Sequence, residues 1–301
     1  LFATTALVAT AGIASADVSL SGAANVGIVN NGTAAAQDNM YQNMSITATM
    51  AGETDGGLTF GASLTVRNGD DVDLDAGDLQ LNDVANAGDI TALSDTSFGS
   101  IYVSGDFGKL TFDRNGLDNV MDDDYDDMDV QYDYSVGDLS VSVTADIDNN
   151  DAASTDHNDW AAKVGYTMGA IKLTAATDDS GESDVTVAYT LNDMIGLSVN
   201  LDSDGQTVSS VVESEATVKA TYSNAGITGH LALTDDDDDS WEVGFGYTAG
   251  AMAFGVTVGE DGDGTDNDTD ITASYDLGGG MSVKAATNQR GAWFVGTALS
   301  F

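Results

Sequence analysis

Between Trp241 and Val258 the chain reads WEVGFGYTAGAMAFGVTV, and its apolar residues fall on alternate positions. Trp241, Val243, Phe245 and Tyr247 share one face while Glu242, Gly244, Gly246 and Thr248 share the other, which is the period of a β-strand. A turn at Ala249 and Gly250 follows, and Met252, Phe254, Val256 and Val258 then alternate with small or polar residues. The stretch therefore predicts a β-hairpin with one apolar and one polar face.

The same alternation starts at Asp17. Val18, Leu20, Val26 and Ile28 share a parity against Ser19, Ser21 and Asn25, and a polar loop from Asn30 to Asn39 ends the strand. Met44, Ile46, Ala48 and Met50 form the next apolar row, and a turn at Glu53 to Gly57 returns it through Leu58, Phe60, Leu64 and Val66. Residues Asn68 to Thr96 are acidic and weakly patterned, which predicts a long loop; GSIYVSG and KLTF then flank a turn at Asp106-Phe107-Gly108. After an acidic loop at Asn115 to Asp129, hairpins continue to the last residue.

Within that series Tyr134, Tyr166, Tyr189, Tyr222, Tyr247 and Tyr275 each stand just before a turn (YSVG, YTMG, YTLN, YSNAG, YTAG, YDLGGG). One tyrosine per hairpin at the same end makes a ring. A soluble sandwich has no use for an aromatic at one fixed height, whereas a membrane barrel needs a girdle where its apolar band meets lipid headgroups. Trp160 and Trp241, six residues before their tyrosines and on the same face, predict the opposite girdle, with Trp293 as a further member. Parity sorts the charges the same way. Arg67, Lys109, Lys163, Lys172, Lys219 and Lys284 fall on the polar face with Asp133, His230 and Glu242. A lysine facing hydrocarbon at mid-membrane costs about 2–4 kcal/mol, one facing water little. The polar face is too uniformly Ser, Thr, Asp and Gly to be a core, so the apolar face is predicted to meet lipid. The fold class is thus all-β, a transmembrane antiparallel β-barrel, closed so that no strand edge is left exposed.

Composition removes most other classes. The 301 residues contain no Cys and no Pro, and 50 acidic residues face 8 basic ones, for a formal charge of -42. Such a chain cannot displace counterions from phosphates, so nucleic acid is excluded as a partner. Disulfides and thiolate metal sites are excluded as well. Disorder is argued against by 42% hydrophobic content in strict alternation. The first sixteen residues, LFATTALVATAGIASA, have the apolar run and the Ala14-Ser15-Ala16 cleavage site of a secretory signal, without its basic n-region. One barrel domain is expected over 17–301, following a partial signal at 1–16.

Connections alternate in length. Those after the tyrosines are short; the others are longer and acidic, including Asp146 to Asp159, Asp235 to Asp239 and Glu260 to Asp270. Bacterial barrels have short periplasmic turns and long external loops. Asp261, Asp263 and Asp266 offer oxygen ligands for weak calcium binding, bridging to lipopolysaccharide phosphates, but lack the spacing of an EF-hand; solvated, mutually repelling loops are the better account of them. No other cofactor is expected. No catalytic constellation stands out, since His157 and His230 are far apart in sequence and Ser and Asp are everywhere. An export signal and Asp-rich loops also fit a secreted, calcium-dependent surface or adhesion protein of soluble β structure. The tyrosine ring, the long apolar face and the terminal Phe favour the barrel.

GETDGGLTFGASLTVR (Gly52 to Arg67), GSIYVSGDFGKLTFDR (Gly99 to Arg114), SYDLGGGMSVKA (Ser274 to Ala285) and the closing GAWFVGTALSF ending on Phe301 resemble the general diffusion porins of Gram-negative bacteria, most closely the alphaproteobacterial branch. The resemblance implies an outer-membrane homotrimer of water-filled barrels, with sixteen strands, whereas the hairpins around the tyrosine-marked turns count to eighteen. It implies that Phe301 is the signal read by the outer-membrane assembly machinery. It also implies that the loop after the fifth strand folds into the lumen, with Asp122, Asp123, Asp124, Asp126, Asp127 and Asp129 facing wall residues Arg67, Lys109 and Arg114. Here that loop is shorter than the family's and the basic cluster is thinned to isolated residues. The expected function is passive passage of small hydrophilic solutes with a preference for cations.

Overall fold

The computed structural model of the chain describes residues 17–30, 32, 38–70, 92–121, 128–147, 160–203, 214–235, 240–260 and 267–301. They form eighteen strands. The first six are β1 (Asp17–Asn30), β2 (Asn39–Glu53), β3 (Thr59–Asp70), β4 (Ala92–Gly105), β5 (Gly108–Leu117) and β6 (Met128–Val136). Next come β7 (Leu139–Ala145), β8 (Trp160–Met168), β9 (Ile171–Asp178), β10 (Ser183–Asn192), β11 (Ile195–Ser203) and β12 (Ser214–Asn224). The last six are β13 (Ile227–Asp235), β14 (Ser240–Ala249), β15 (Met252–Glu260), β16 (Asn267–Gly278), β17 (Met281–Asn288) and β18 (Trp293–Ser300). Each strand pairs antiparallel with its neighbours in sequence, and β1 pairs with β18, so one sheet closes into a barrel.

Eighteen strands correct the sixteen implied by resemblance. Strand number follows from how many alternating segments the chain contains, and each tyrosine-marked turn supplies its own hairpin. The loop expected at Asn68 to Thr96 is also shorter than read, because β3 runs to Asp70 and β4 begins at Ala92. These flanks pair in register, Arg67 opposite Asp95 and Gly69 opposite Leu93. Backbone pairing carried them into the sheet although their side chains alternate poorly, as it does wherever a neighbouring strand offers free N–H and C=O groups. A register shift between Ala62 and Leu64 marks where the pairing slips.

Closure depends on the first and last strands. β1 and β18 are in register from Ala23 opposite Ser300 to Asn30 opposite Trp293. Beyond β18, Phe301 and Gly22 exchange backbone hydrogen bonds of 2.8 and 3.1 Å. The inner side of this seam is packed by Val29, Tyr41, Ala286, Ala292 and Phe294, all buried. Tyr41 lies across Gly27 and Gly296, where an added Cβ would collide with its ring or hydroxyl. Glycine is needed at both positions because an aromatic side chain lies directly on the backbone.

Outward parity is uniform around the wall. The registers align Ile195 with Tyr222, Ile227 with Tyr247, Tyr247 with Phe254, and Met252 with Tyr275. Phe245 is 50% exposed and Tyr247 47% exposed on this face. In water, so many large apolar side chains would be an aggregation surface; in a bilayer they are the solvated face. Among the described residues no helix is long and apolar enough to cross a membrane, so strands do the crossing.

Phe245→Lys should therefore cost about 2–4 kcal/mol and lower the fraction of protein reaching the heat-modifiable folded form on gels. Ala253→Lys, on the neighbouring strand and facing the lumen, should assemble as wild type does.

Candidate functional site: the lumen

Parity opposite to the lipid face defines the lumen wall. Arg67 stands opposite Ser45, Lys109 opposite Ser104 and Asp133, Lys163 opposite Ser142, and Lys172 opposite Ala188. Lys219 stands opposite Ser198 and Ala232, and Lys284 opposite Ser274 and Gly296. Six of the eight basic residues thus share the inner face and are dispersed around it. Cross-strand polar pairs tie this face together: Asn25 to Asn43 at 2.9 Å, Thr47 to Thr65 at 2.9 Å, Thr217 to Thr234 at 3.0 Å and Asn200 to Asp184 at 2.5 Å. Such hydroxyl, amide and carboxylate pairs satisfy one another while leaving lone pairs for water, which suits a wet wall and would be costly in a dry core.

The chain after β5 leaves the cylinder. Between Phe112, opposite Val130, and Leu117, opposite Met128, β5 carries extra residues that β6 does not match, and Arg114 sits exposed in this irregular stretch. Beyond it the segment Asp118 to Met121 turns inward: Lys163 Nζ on β8 donates a 3.1 Å hydrogen bond to the Val120 carbonyl. Asn119 is 2% exposed, with its Oδ1 accepting from the Met121 amide at 3.0 Å. Wall residues that would otherwise line open water are buried in this sector, Thr111, Thr144, Ala161 and Ala176 among them. The segment narrows the lumen against β5–β9, and a lysine anchors it.

Asp129 belongs to β6, not to the loop. It is buried, and its Oδ2 accepts a 3.0 Å hydrogen bond from the Ile147 amide, so it ties β6 to the end of β7. Asp122, Asp123, Asp124, Asp126 and Asp127 lie outside the described residues, as do Asp261, Asp263, Asp266 and the segment 1–16. Lys109 stacks over the inward-facing Tyr102 ring, 5.1 Å from its centroid, which holds the ammonium near the wall. Tyr166, Tyr189, Tyr222, Tyr247 and Tyr275 are exposed on the outer face near the short turns, and Tyr134 is half-buried there. Trp160 is exposed at the opposite end of β8, and Trp241 and Trp293 occupy outward positions opposite Leu233 and Thr287.

Two wall acids were hidden in what reads as a loop. Asp268 and Asp270 belong to β16, paired with Gly259 and Thr257, and they join Glu242 around a recess floored by Gly259. Arg290 at the rim reaches Asp268 at 3.5 Å. Extending the parity rule backward from Thr272 and Ser274 would have found both. Among the described residues no cluster of His, Cys, Asp and Glu is arranged to hold a metal ion.

A closed antiparallel barrel with an apolar outer wall, a polar lumen and an inturned segment is a transmembrane pore. A sequence profile described as Gram-negative porin matches residues 3–290, and the chain belongs to that family. It is accordingly an outer-membrane diffusion channel, and family and fold define a pore rather than a catalyst. A triple mutant of the Rh. blastica porin superimposes with a TM-score of 0.58 at 18% identity, covering 94% of this chain and 100% of that one. A porin structure refined at 1.8 Å resolution gives a TM-score of 0.55 at 21% identity, with the same coverage. A structure titled for asymmetric conductivity of engineered proteins gives 0.57 at 20%, again with 94% and 100% coverage. No curated protein matches the chain by sequence. The fold and the family leave the secreted adhesion alternative without support.

Lys163→Met removes a charged donor whose hydrogen bond to Val120 is worth about 1.5–3 kcal/mol. Single-channel recordings should show higher conductance and more open-channel noise than wild type. Lys172→Met, on the same wall without that bond to the segment, should leave the noise unchanged.

Proposed function

We propose that the protein is a cation-preferring pore for small hydrophilic solutes. The observation that carries this reading is the imbalance of the lumen: six dispersed basic wall residues stand against acids on the same wall, in a chain of net charge -42. Seven acids of the same parity, Asp133, Asp184, Asp202, Glu215, Glu242, Asp268 and Asp270, outnumber the six bases and supply negative potential along the wall, and the acidic external loops add to it at the mouth. Such a field concentrates cations and repels anions by a factor that falls as salt shortens the Debye length, about 10 Å at 0.1 M.

Asp122, Asp123, Asp124, Asp126 and Asp127 continue the inturned segment, and we assign them the acidic side of the constriction, with Arg67, Lys109 and Arg114 as the basic side. Residues 1–16 serve as the export signal to the periplasm and Phe301 as the recognition aromatic for barrel assembly.

Three copies associate through the sector from β18 to β4. Girdle tyrosines face outward on β6, β8, β10, β12, β14 and β16, but β18, β2 and β4 present none; Met40, Met44 and Met50 cover that wall instead. Strands β1, β2 and β4, at 14, 15 and 14 residues, are also longer than the 7 to 11 residues of β6–β15. A tall wall with adaptable methionines and no tyrosine at the short-turn rim suits a protein neighbour better than lipid.

Reversal potentials across a planar bilayer in a gradient of dilute potassium chloride should show a cation-to-anion permeability ratio above one, approaching one in molar salt. Anion preference at low salt would contradict the reading. Unheated detergent-solubilised protein should have the mass of three chains, and a monomeric mass would remove the proposed contact.

A further inference from the structure

The lumen holds one imidazole among the described residues, and it is built into the wall. His230 on β13 faces inward opposite Thr221 and Gly244, and its Nε2 lies 2.6 Å from Glu242 Oε1 on β14. The ring rests on Gly244, where any Cβ would collide with it, so the glycine keeps the space the imidazole occupies. The pair stands in a recess of about 500 Å³ open to the lumen, floored by Gly244, Gly246 and Gly255. The charged groups around that recess are Lys219 from β12, Glu242 from β14 and Asp270 from β16; β15 contributes only Thr257 and uncharged neighbours. Side-chain exposures of 26% for His230 and 47% for Glu242 leave the pair in view of passing ions.

Building on the pore reading, we infer that the His230–Glu242 pair is a selectivity-determining element whose charge follows pH. With His230 neutral, the imidazole donates to Glu242 and the pair presents one negative charge to the lumen. With His230 protonated, the same contact becomes an ion pair and presents none. Imidazole is the side chain whose ordinary chemistry changes charge between about pH 5 and 8. The pore therefore loses one wall charge on mild acidification with no movement of backbone. In water a unit charge acts on an ion about 7 Å away with an energy close to RT, so the local concentration of each ion changes about two- to threefold, in opposite senses for cation and anion.

The experiment measures reversal potentials in dilute potassium chloride from about pH 8 to about pH 5.5. The wild-type cation-to-anion permeability ratio is expected to fall about twofold across this range. His230→Gln, which keeps a donor to Glu242 but no titratable ring, should hold the high-pH ratio throughout. Glu242→Gln should begin at a lower ratio and still fall on acidification, because the imidazole is still there to gain a charge. If His230→Gln retains the full wild-type pH response, or Glu242→Gln loses it, the assignment is overturned. A ratio at or below one for wild type at the alkaline end would instead refute the cation-preferring pore on which the inference rests. Heat-modifiable gel mobility establishes that each variant is folded; should His230→Gln fail to assemble, the Glu242→Gln response decides alone.

Discussion

Every feature of this protein depends on the hydrocarbon's refusal to hydrogen-bond a peptide group. A backbone N–H or C=O left unpaired in lipid costs several kcal/mol, so a strand can cross a membrane only with a partner on each side. Eighteen strands meet that requirement solely because β1 finds β18. The seam is accordingly held in three ways: eight register pairs, the reciprocal Phe301–Gly22 hydrogen bonds, and Tyr41 laid over Gly27 and Gly296 on the inner side. Among the described residues, that inner packing is the nearest thing to a hydrophobic core.

Once the ring is closed, side-chain period does the remaining work. A period of two forces each residue toward lipid or toward water, and a slip of one residue would exchange the faces over a whole strand. The basic wall residues and the tyrosines occupy opposite parities for that reason. The lumen is then a surface on which isolated charges can be placed at little energetic cost, and Lys163 uses that freedom to hold an inturned segment, while His230 and Glu242 use it to face each other.

Much of this was legible in the chain itself. Alternation at Trp241 to Val258 and the recurring tyrosines specified hairpins, faces and the short-turn rim, and hairpin counting reached eighteen where resemblance implied sixteen. Three things were less visible. The outer ends of β3, β4 and β16 carry weakly alternating polar residues and are strands because a neighbour pairs with them, so Asp268 and Asp270 read as loop. Asp129 reads as one more acid in a run, and only three-dimensional packing shows it capping the Ile147 amide. The inward path of Asp118 to Met121 depends on a contact with Lys163 made 43 residues away, which no local pattern encodes.

The central claim is that alternate residues of one strand face lipid and water, and the chain's lack of cysteine makes it directly measurable. Single cysteines placed in turn at Glu242, Val243, Phe245, Thr257 and Val258 of membrane-embedded protein can be probed with a charged, water-soluble thiol reagent. Glu242 and Thr257 should be labelled through the pore, and Val243, Phe245 and Val258 should be protected. Equal labelling at all five positions would contradict a lipid-facing barrel with a wet lumen.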